Sequence, residues 1–370
     1  GRRSADALTN GSGVVEKMEF GLQFFPDVSP DEKSAQQYWN ESLDLTNLCD
    51  DLGYTHVRTV EHYFEPYGGY SPAPHIFLTA ASQRTSKARL ITGALVPAFN
   101  HPLKVAGEIG MLDAISNGRL DCGFARAFLP HEFQRLERSM DESRARFDEG
   151  VAAIRLLLEE ENVTFEGQFH RFKNVTSLPR PTQKPRPPFW VAALGTPQSI
   201  LAAASNGFNL MLVPFAGPQT REITSMYRDA WKEAGHGGQG KIALGFHLFC
   251  HQDREEAIRI AEPNLNRYLR SLAAASEKDA GWGVGASSKD YPGYEASYER
   301  RQTATFRSMV EAGTVWVGTP DDISQQIAGY RDQLDGFDIA SLQVNFNRIT
   351  YDEARASASL FAQEVMPNFR

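Results

Sequence analysis

Short runs rich in aromatic and β-branched residues alternate with longer amphipathic segments along most of the chain, and this rhythm limits the fold more than any other feature. The runs predict strands at 18–25, 55–62, 89–97, 119–126, 188–194, 209–215, 241–250 and 339–346. Helical periodicity marks about 36–52, 75–85, 103–117, 141–159, 197–206, 219–235, 253–275, 320–334 and 351–365. Each strand is thus followed by at least one helix, and eight strands is the number a TIM-type (β/α)8 barrel needs. A doubly wound open sheet shows the same alternation but usually needs fewer strands. Its nucleotide fingerprint is also missing, because no GxG, Gly283 to Gly285 included, opens a predicted strand-to-helix turn.

Three stretches break the rhythm. Residues 1–17 lack any apolar period and are rich in Gly, Ser and Asn, so they read as a tail, a linker or a tag, with the barrel occupying 18–370. Residues 162–187, after strand four, read as a small hairpin followed by a Pro-rich connector into strand five. Residues 276–300, after strand seven, combine Gly, Ser and charge with Trp282, Tyr291, Tyr294 and Tyr298. That composition suits a lid closing over a ligand, or a merely disordered insertion.

Charge and cysteine content remove several function classes. A formal net charge of −8, with no run of Lys and Arg to offset it, argues against nucleic acid and anionic membranes. No stretch of about 18 apolar residues and no secretory h-region is present, so a cytoplasmic location is expected. Cys49, Cys122 and Cys250 are odd in number and form no CxxC pair, which predicts three reduced, mostly buried thiols and no structural zinc.

In a barrel the chemistry gathers at the carboxyl ends of the strands. Strand two ends in Glu61-His62-Tyr63-Phe64, and an imidazole there can exchange protons near neutral pH. A structural histidine is the competing reading. Strand three carries the small pair Gly93-Ala94, which would let a planar ligand approach the backbone or simply allow tight packing. Arg126, at the end of strand four, offers a guanidinium fork suited to phosphate, or to a structural carboxylate. Gly195, Thr196 and Ser199 sit where strand five meets a helix, placing free N–H groups and hydroxyls in reach of an anion, although Thr196-Pro197 is also an ordinary helix start. Arg126 and this helix start come from adjacent predicted strands and would form one anion pocket. Phe24, Phe128 and Phe215, at predicted strand ends, suit an apolar substrate wall or core packing equally. His247 and His251 lie too far apart on an extended strand to share a metal and read as packing or pocket wall, and no metal site is expected. HExxH, P-loop and GxSxG motifs are absent.

These segments together are recognisable. FGLQFF, DDLGYTHVRTVEHYF and TGALVPAFNHPLKVAGEIGMLDAISNGRLDCGFARAF resemble the first half of the bacterial luciferase-like flavin monooxygenases. LPRPTQKPRPPFWVAALGTPQS, VGTPDDISQQI and SLFAQEVMPNF resemble later segments, so the likeness spans roughly residues 18–369. The resemblance implies a (β/α)8 barrel that takes reduced FMN from a separate flavin reductase, or in one branch the deazaflavin F420. It makes His62 the catalytic histidine, puts a cis peptide at Gly93-Ala94 beneath the flavin ring, and sets Arg126, Thr196 and Ser199 at the phosphate. Ala125 stands where light-emitting luciferases carry a reactive Cys and Gly195 where they carry a Glu, which argues against bioluminescence, and Tyr63 replaces a second His, which argues against a mechanism that needs two imidazoles at the motif.

The implied activity is an FMNH2-dependent monooxygenation by way of a flavin peroxide, as a Baeyer–Villiger insertion or a hydroxylation of a small-molecule or carrier-bound substrate in a biosynthetic setting. Two alternatives stand beside it: an F420-dependent hydride-transfer oxidoreductase, and a non-catalytic flavin-binding subunit. The resemblance also implies a homodimer, joined through helices flanking strands two and three.

Overall fold

The computed structural model describes residues 17–277, 291 and 294–370. The expectations for residues 1–16 and for most of the 276–300 segment, Trp282 included, therefore lie outside the described residues. The strands are β1 (Glu19–Phe24), β2 (His56–Thr59), β3 (Arg89–Leu95), β4 (Leu120–Phe124), β5 (Val163–Glu166), β6 (Arg171–Val175), β7 (Phe189–Ala193), β8 (Asn209–Leu212), β9 (Ile242–Cys250), β10 (Val315–Gly318) and β11 (Ile339–Gln343). The helices are α1 (Ala35–Thr46), α2 (Cys49–Leu52), α3 (Pro74–Ser82), α4 (Pro102–Ile115), α5 (Pro130–Arg135), α6 (Ser143–Glu159), α7 (Pro197–Ser205), α8 (Gly217–Glu233), α9 (Arg254–Glu277), α10 (Tyr294–Thr303), α11 (Phe306–Ala312), α12 (Pro320–Arg331) and α13 (Tyr351–Glu364).

The sheet runs β10-β9-β11-β1-β2-β3-β4-β7-β8, and a further β8–β9 pairing closes eight parallel strands into a TIM barrel. β10 is outside that count and was not expected from the sequence. β9 accommodates it because nine residues are long enough for successive neighbours: β8 pairs with Ile242–Leu244, β11 with Ala243–His247, and β10 with His247–Cys250. Trp316 of β10 stacks on Phe246 with ring centroids 3.8 Å apart, which anchors the extra strand.

Period-2 alternation sorts the strand side chains into two populations. Outward residues meet the helices: Phe20 packs edge-on to Phe361 of α13 and Phe24 to Phe77 of α3. Inward residues form a separate apolar floor of Ile91, Trp190, Met211, Ala243 and Ile339, with Trp190 Nε1 donating to Asp121 Oδ2 at 2.9 Å. Cys49, Cys122 and Cys250 are free and buried in the outer layer.

The first excursion matches its expected role. β5 and β6 form an antiparallel hairpin, and the Pro-rich run after it is tied down by Arg180, whose guanidinium donates to the carbonyls of Leu157 and Leu158 at the end of α6. Of the second excursion, 276–300, the described residues include the end of α9 and most of α10, and α11 and β10 follow it before α12. Among the described residues no helix is long and apolar enough to cross a membrane.

Candidate active site

His62 follows β2 at the barrel mouth, its backbone N–H bonded to the Ser71 carbonyl at 3.1 Å. Its Nδ1 lies 2.9 Å from Glu132 Oε1, which also accepts from the Tyr63 backbone N–H at 2.9 Å. The Glu132 side chain is fully enclosed, whereas the His62 side chain keeps 12% of its surface exposed. Glu132 Oε1 already accepts from the Tyr63 N–H, so His62 is placed to donate to it through Nδ1, which leaves Nε2 outside this bond. Phe25, Tyr67 and Phe128 surround the ring at centroid distances of 5.5, 5.4 and 6.2 Å. This apolar collar limits water around the imidazole while Glu132 fixes its orientation.

Glu61 points the other way. It accepts from Val96 N–H at 2.9 Å and Asn100 Nδ2 at 2.8 Å, and it takes the Tyr63 hydroxyl. Burial pushes its carboxyl up to about 7 despite these three donors. Glu61 thus ties the end of β2 to the turn after β3, steadying the backbone that presents His62.

The Gly93–Ala94 peptide is cis, at the point where β3 and β4 lose register. A Cβ on Gly93 would stand 1.9 Å from Arg58 Nε, so only glycine fits against that side chain. Arg58 in turn donates through Nη2 to the Gly93 carbonyl and through Nη1 to Gln23 Oε1, both at 3.2 Å.

At the other side of the mouth, Arg126 follows β4, donates to Ser143 Oγ at 3.2 Å, and lies 4.4 Å from the centroid of the Tyr291 ring. Tyr291 donates its hydroxyl to the Ala127 carbonyl at 2.7 Å. Gly195, next to the start of α7, has φ +95, a conformation that side chains rarely adopt. Thr196 is the N-cap of α7, yet its hydroxyl makes no capping bond. Pro197 carries no N–H, and the Ser199 and Ile200 N–H groups donate to the Thr196 carbonyl, so the Gln198 N–H and the Thr196 and Ser199 hydroxyls are the donors left for an acceptor at this helix start. β4 and β7 are neighbours, so Arg126 and this helix start stand side by side at one edge of the mouth.

Of the three phenylalanines expected as a substrate wall, Phe128 adjoins His62, and Phe215 packs next to Gly195. Phe24 does not line the mouth. Its neighbour Gln23 faces the barrel interior, where it bonds Arg58 and Ser341, so alternation turns Phe24 outward onto Phe77. The core-packing alternative holds for that residue. His247 is a barrel-interior residue packed on Tyr268 and Phe346, and His251 lies outside, near Asp253. Among the described residues no group of side chains could hold a metal ion.

Some contributors escaped the sequence reading. Glu132 sits on α5, a helix of six residues with no periodic signal, 70 positions from His62. Leu194 and Val213, directly after β7 and β8, are 44% and 57% exposed, and Phe64 after β2 is 52% exposed. Large apolar side chains bared at a barrel mouth suit a planar ligand lying across it. With Arg126 and the start of α7 at one edge, these residues are of the kinds that the ring and the phosphate of FMN need.

The comparisons with known proteins agree with this geometry. The oxygenase component of a flavin-dependent trigonelline monooxygenase from Acinetobacter baylyi is 28% identical over 365 residues, spanning 95% of this chain and 96% of its own. The crystal structure of monooxygenase RslO1 from Streptomyces bottropensis superposes with a TM-score of 0.84 at 44% identity, covering 95% of this chain and all of that one. The oxygenating constituent of 3,6-diketocamphane monooxygenase from Pseudomonas putida, solved with FMN, shares the fold at 19% identity and a TM-score of 0.76, over 96% of this chain and 99% of that one. The profile of the luciferase-like monooxygenases matches residues 18–335, and the chain belongs to the luciferase-like monooxygenase family.

Proposed function

We propose that this chain is the oxygenase component of a two-component system that receives reduced FMN from a separate flavin reductase and oxygenates an organic substrate. One oxygen atom enters the substrate, by Baeyer–Villiger insertion or hydroxylation, and the other leaves as water. The observation that carries this reading is His62, held through Nδ1 by the enclosed Glu132 at a mouth with bare apolar side chains and an anion-binding edge. Reduced FMN, when bound, supplies the activation of O2.

The remaining roles fall to the chain. Arg126, the Thr196 and Ser199 hydroxyls and the Gln198 N–H hold the phosphate, and Gly195 and Phe215 shape the loop beside it. Gly93 and Ala94 give the ring a surface without protruding side chains. His62 accepts or returns a proton at Nε2, oriented by Glu132. Phe128, Phe25 and Tyr67 keep water from that nitrogen.

Reconstituted with an NADH-driven FMN reductase, the chain is expected to couple O2 consumption to substrate oxygenation. His62→Ala should lower turnover by about a hundredfold or more while FMN still binds. Full turnover in that variant removes the role given to His62. Oxygen-independent turnover with reduced F420, and none with reduced FMN, overturns the reading as a whole.

The homodimer reading gains support from Ile76 of α3 and Met111 of α4, which are 74% and 58% exposed on helices beside β2 and β3. Ile76→Asp with Met111→Asp should turn a dimer into a monomer in sedimentation. A wild-type chain that stays monomeric at micromolar concentration rejects this assembly.

A further inference from the structure

The barrel interior changes character above its floor. One step nearer the mouth the inward positions are Gly93, Gly123, Ala192, Gly245 and Ser341, where a filled TIM barrel carries bulky branched side chains. Gly245 and Ala192 keep part of their surface accessible although they lie within the sheet. A Cβ on Gly245 would approach Gln23 Oε1 at 3.3 Å and Arg58 Nη1 at 4.0 Å. β9 and β1 are separated by β11 in the sheet, so these side chains reach across the barrel interior to Gly245, and the accessible surface of Arg58, Ala192 and Gly245 marks the hollow beside them.

Arg58 brings a full positive charge to that hollow with little to satisfy it. Among the described residues two of its N–H groups are engaged, both at 3.2 Å and both by neutral acceptors, Nε is buried without a partner, and no carboxylate pairs with the guanidinium. Burial draws its pKa down to about 10, which leaves it charged at neutral pH. Its surroundings supply hydrogen bonds but no counter-charge. Burial pushes His247 down to about 3, so it is neutral, and the hydroxyls of Tyr67 and Tyr268 are 3.4 Å apart. His247 Nε2 and Gln343 Oε1 also lack partners. An unpaired charge inside a protein is costly, and a cation kept in a cavity that opens towards a ligand site is a standing receptor for an anion.

We propose that Arg58 receives an acidic oxygen of the organic substrate, a carboxylate, phenolate or enolate, at the base of the barrel mouth. The inference rests on the mouth being the oxygenation site, and it adds the substrate class: a compound with a polar acidic end that enters the hollow and an apolar body that lies against Leu194, Val213 and Phe128. The guanidinium fork suits two-oxygen or enol-type acceptors better than a point charge would.

Equilibrium binding of benzoate, with benzamide as its neutral counterpart, tests this by ligand-observed NMR, while reduced FMN is titrated anaerobically against the same samples. Benzoate should bind the full chain at least about tenfold more tightly than benzamide. Arg58→Met should erase that preference while FMN affinity holds within about twofold, and Arg58→Lys should keep part of it. A melting curve for each variant separates lost recognition from lost fold, and the Lys variant carries the test if the Met variant does not fold. The proposal is overturned if wild type shows no preference for benzoate, if Arg58→Met retains it, or if Arg58→Met weakens FMN binding and leaves benzoate binding intact, which assigns Arg58 to the flavin. A wild-type chain that binds benzoate but not reduced FMN contradicts the oxygenase reading instead.

Discussion

Glu132 Oε1 stands 2.9 Å from His62 Nδ1, and the same oxygen accepts the backbone N–H of the next residue, Tyr63, at 2.9 Å. One enclosed carboxylate oxygen thus sets both the ring and the backbone that carries it. If His62 acts as proposed, Glu132 is a positioning residue, acting through the imidazole it bonds. Glu132→Gln keeps an acceptor of similar shape but removes the charge. It should lower kcat by roughly ten- to a hundredfold and move the pH–rate profile, with FMN affinity unchanged. An unmoved profile with proportionate loss of stability would assign Glu132 a structural role only.

Gly93 and Arg58 are sterically coupled. Gly93→Ala forces the new methyl against Arg58 Nε, Cδ and Cγ, and should destabilise the fold by about 1–3 kcal/mol in denaturant unfolding. Combining it with Arg58→Ala should recover much of that loss, because the clash disappears with the side chain. Additive losses in the double variant would contradict the coupling.

Arg126 is predicted to read the phosphate and not the ring. Arg126→Gln should weaken FMN binding by about tenfold or more while leaving riboflavin binding nearly unchanged. Fluorescence titration with the two flavins decides it. Equal weakening for both would move Arg126 away from the phosphate.

Glu61 gives a pH signature in stability. Its folded pKa is raised from 4.5 to about 7, chiefly by burial, so its contribution is fully present below about pH 4.5 and is lost as pH rises to 7. The loss is on the order of 3 kcal/mol. Asp27, also pushed up to about 7, adds a loss of the same sign. His56 and His247 act in the opposite sense, since burial lowers both and their contribution is lost as pH falls below 6.5. The difference between wild type and Glu61→Gln isolates the Glu61 part. Wild type should lose stability relative to the variant between pH 4.5 and 7, and parallel curves would contradict the burial argument.

Much of the fold was legible because a (β/α)8 barrel repeats one signal eight times, and each run was apolar enough to stand out. β10 was missed although Val315–Gly318 is as long as β2 or β8, since it lies beyond the eight strands that a barrel requires. α5 was missed because six residues span less than two helical turns and show no period. The site divides along similar lines. His62, Gly93, Ala94, Arg126, Gly195, Thr196 and Ser199 could be singled out as candidates because they lie at or near strand ends, where side chains converge in a barrel. Glu132 was not, since a contact across 70 residues leaves no local trace. Phe24 was misplaced, although period 2 along β1 contained the answer: with Gln23 inward, Phe24 is outward. The same alternation along β2 turns Arg58 into the barrel, which only the structure drew into view.

The most direct test of the account is the reoxidation of reduced FMN. The purified chain is mixed anaerobically with reduced FMN, then with O2 in a stopped-flow instrument, and the return of oxidised-flavin absorbance is timed against free reduced FMN. The account predicts tight binding before O2 is added and a return at least about tenfold slower than for the free flavin, because the apolar mouth excludes water. Reoxidation at the free-flavin rate, with no anaerobic binding of reduced FMN, would contradict it.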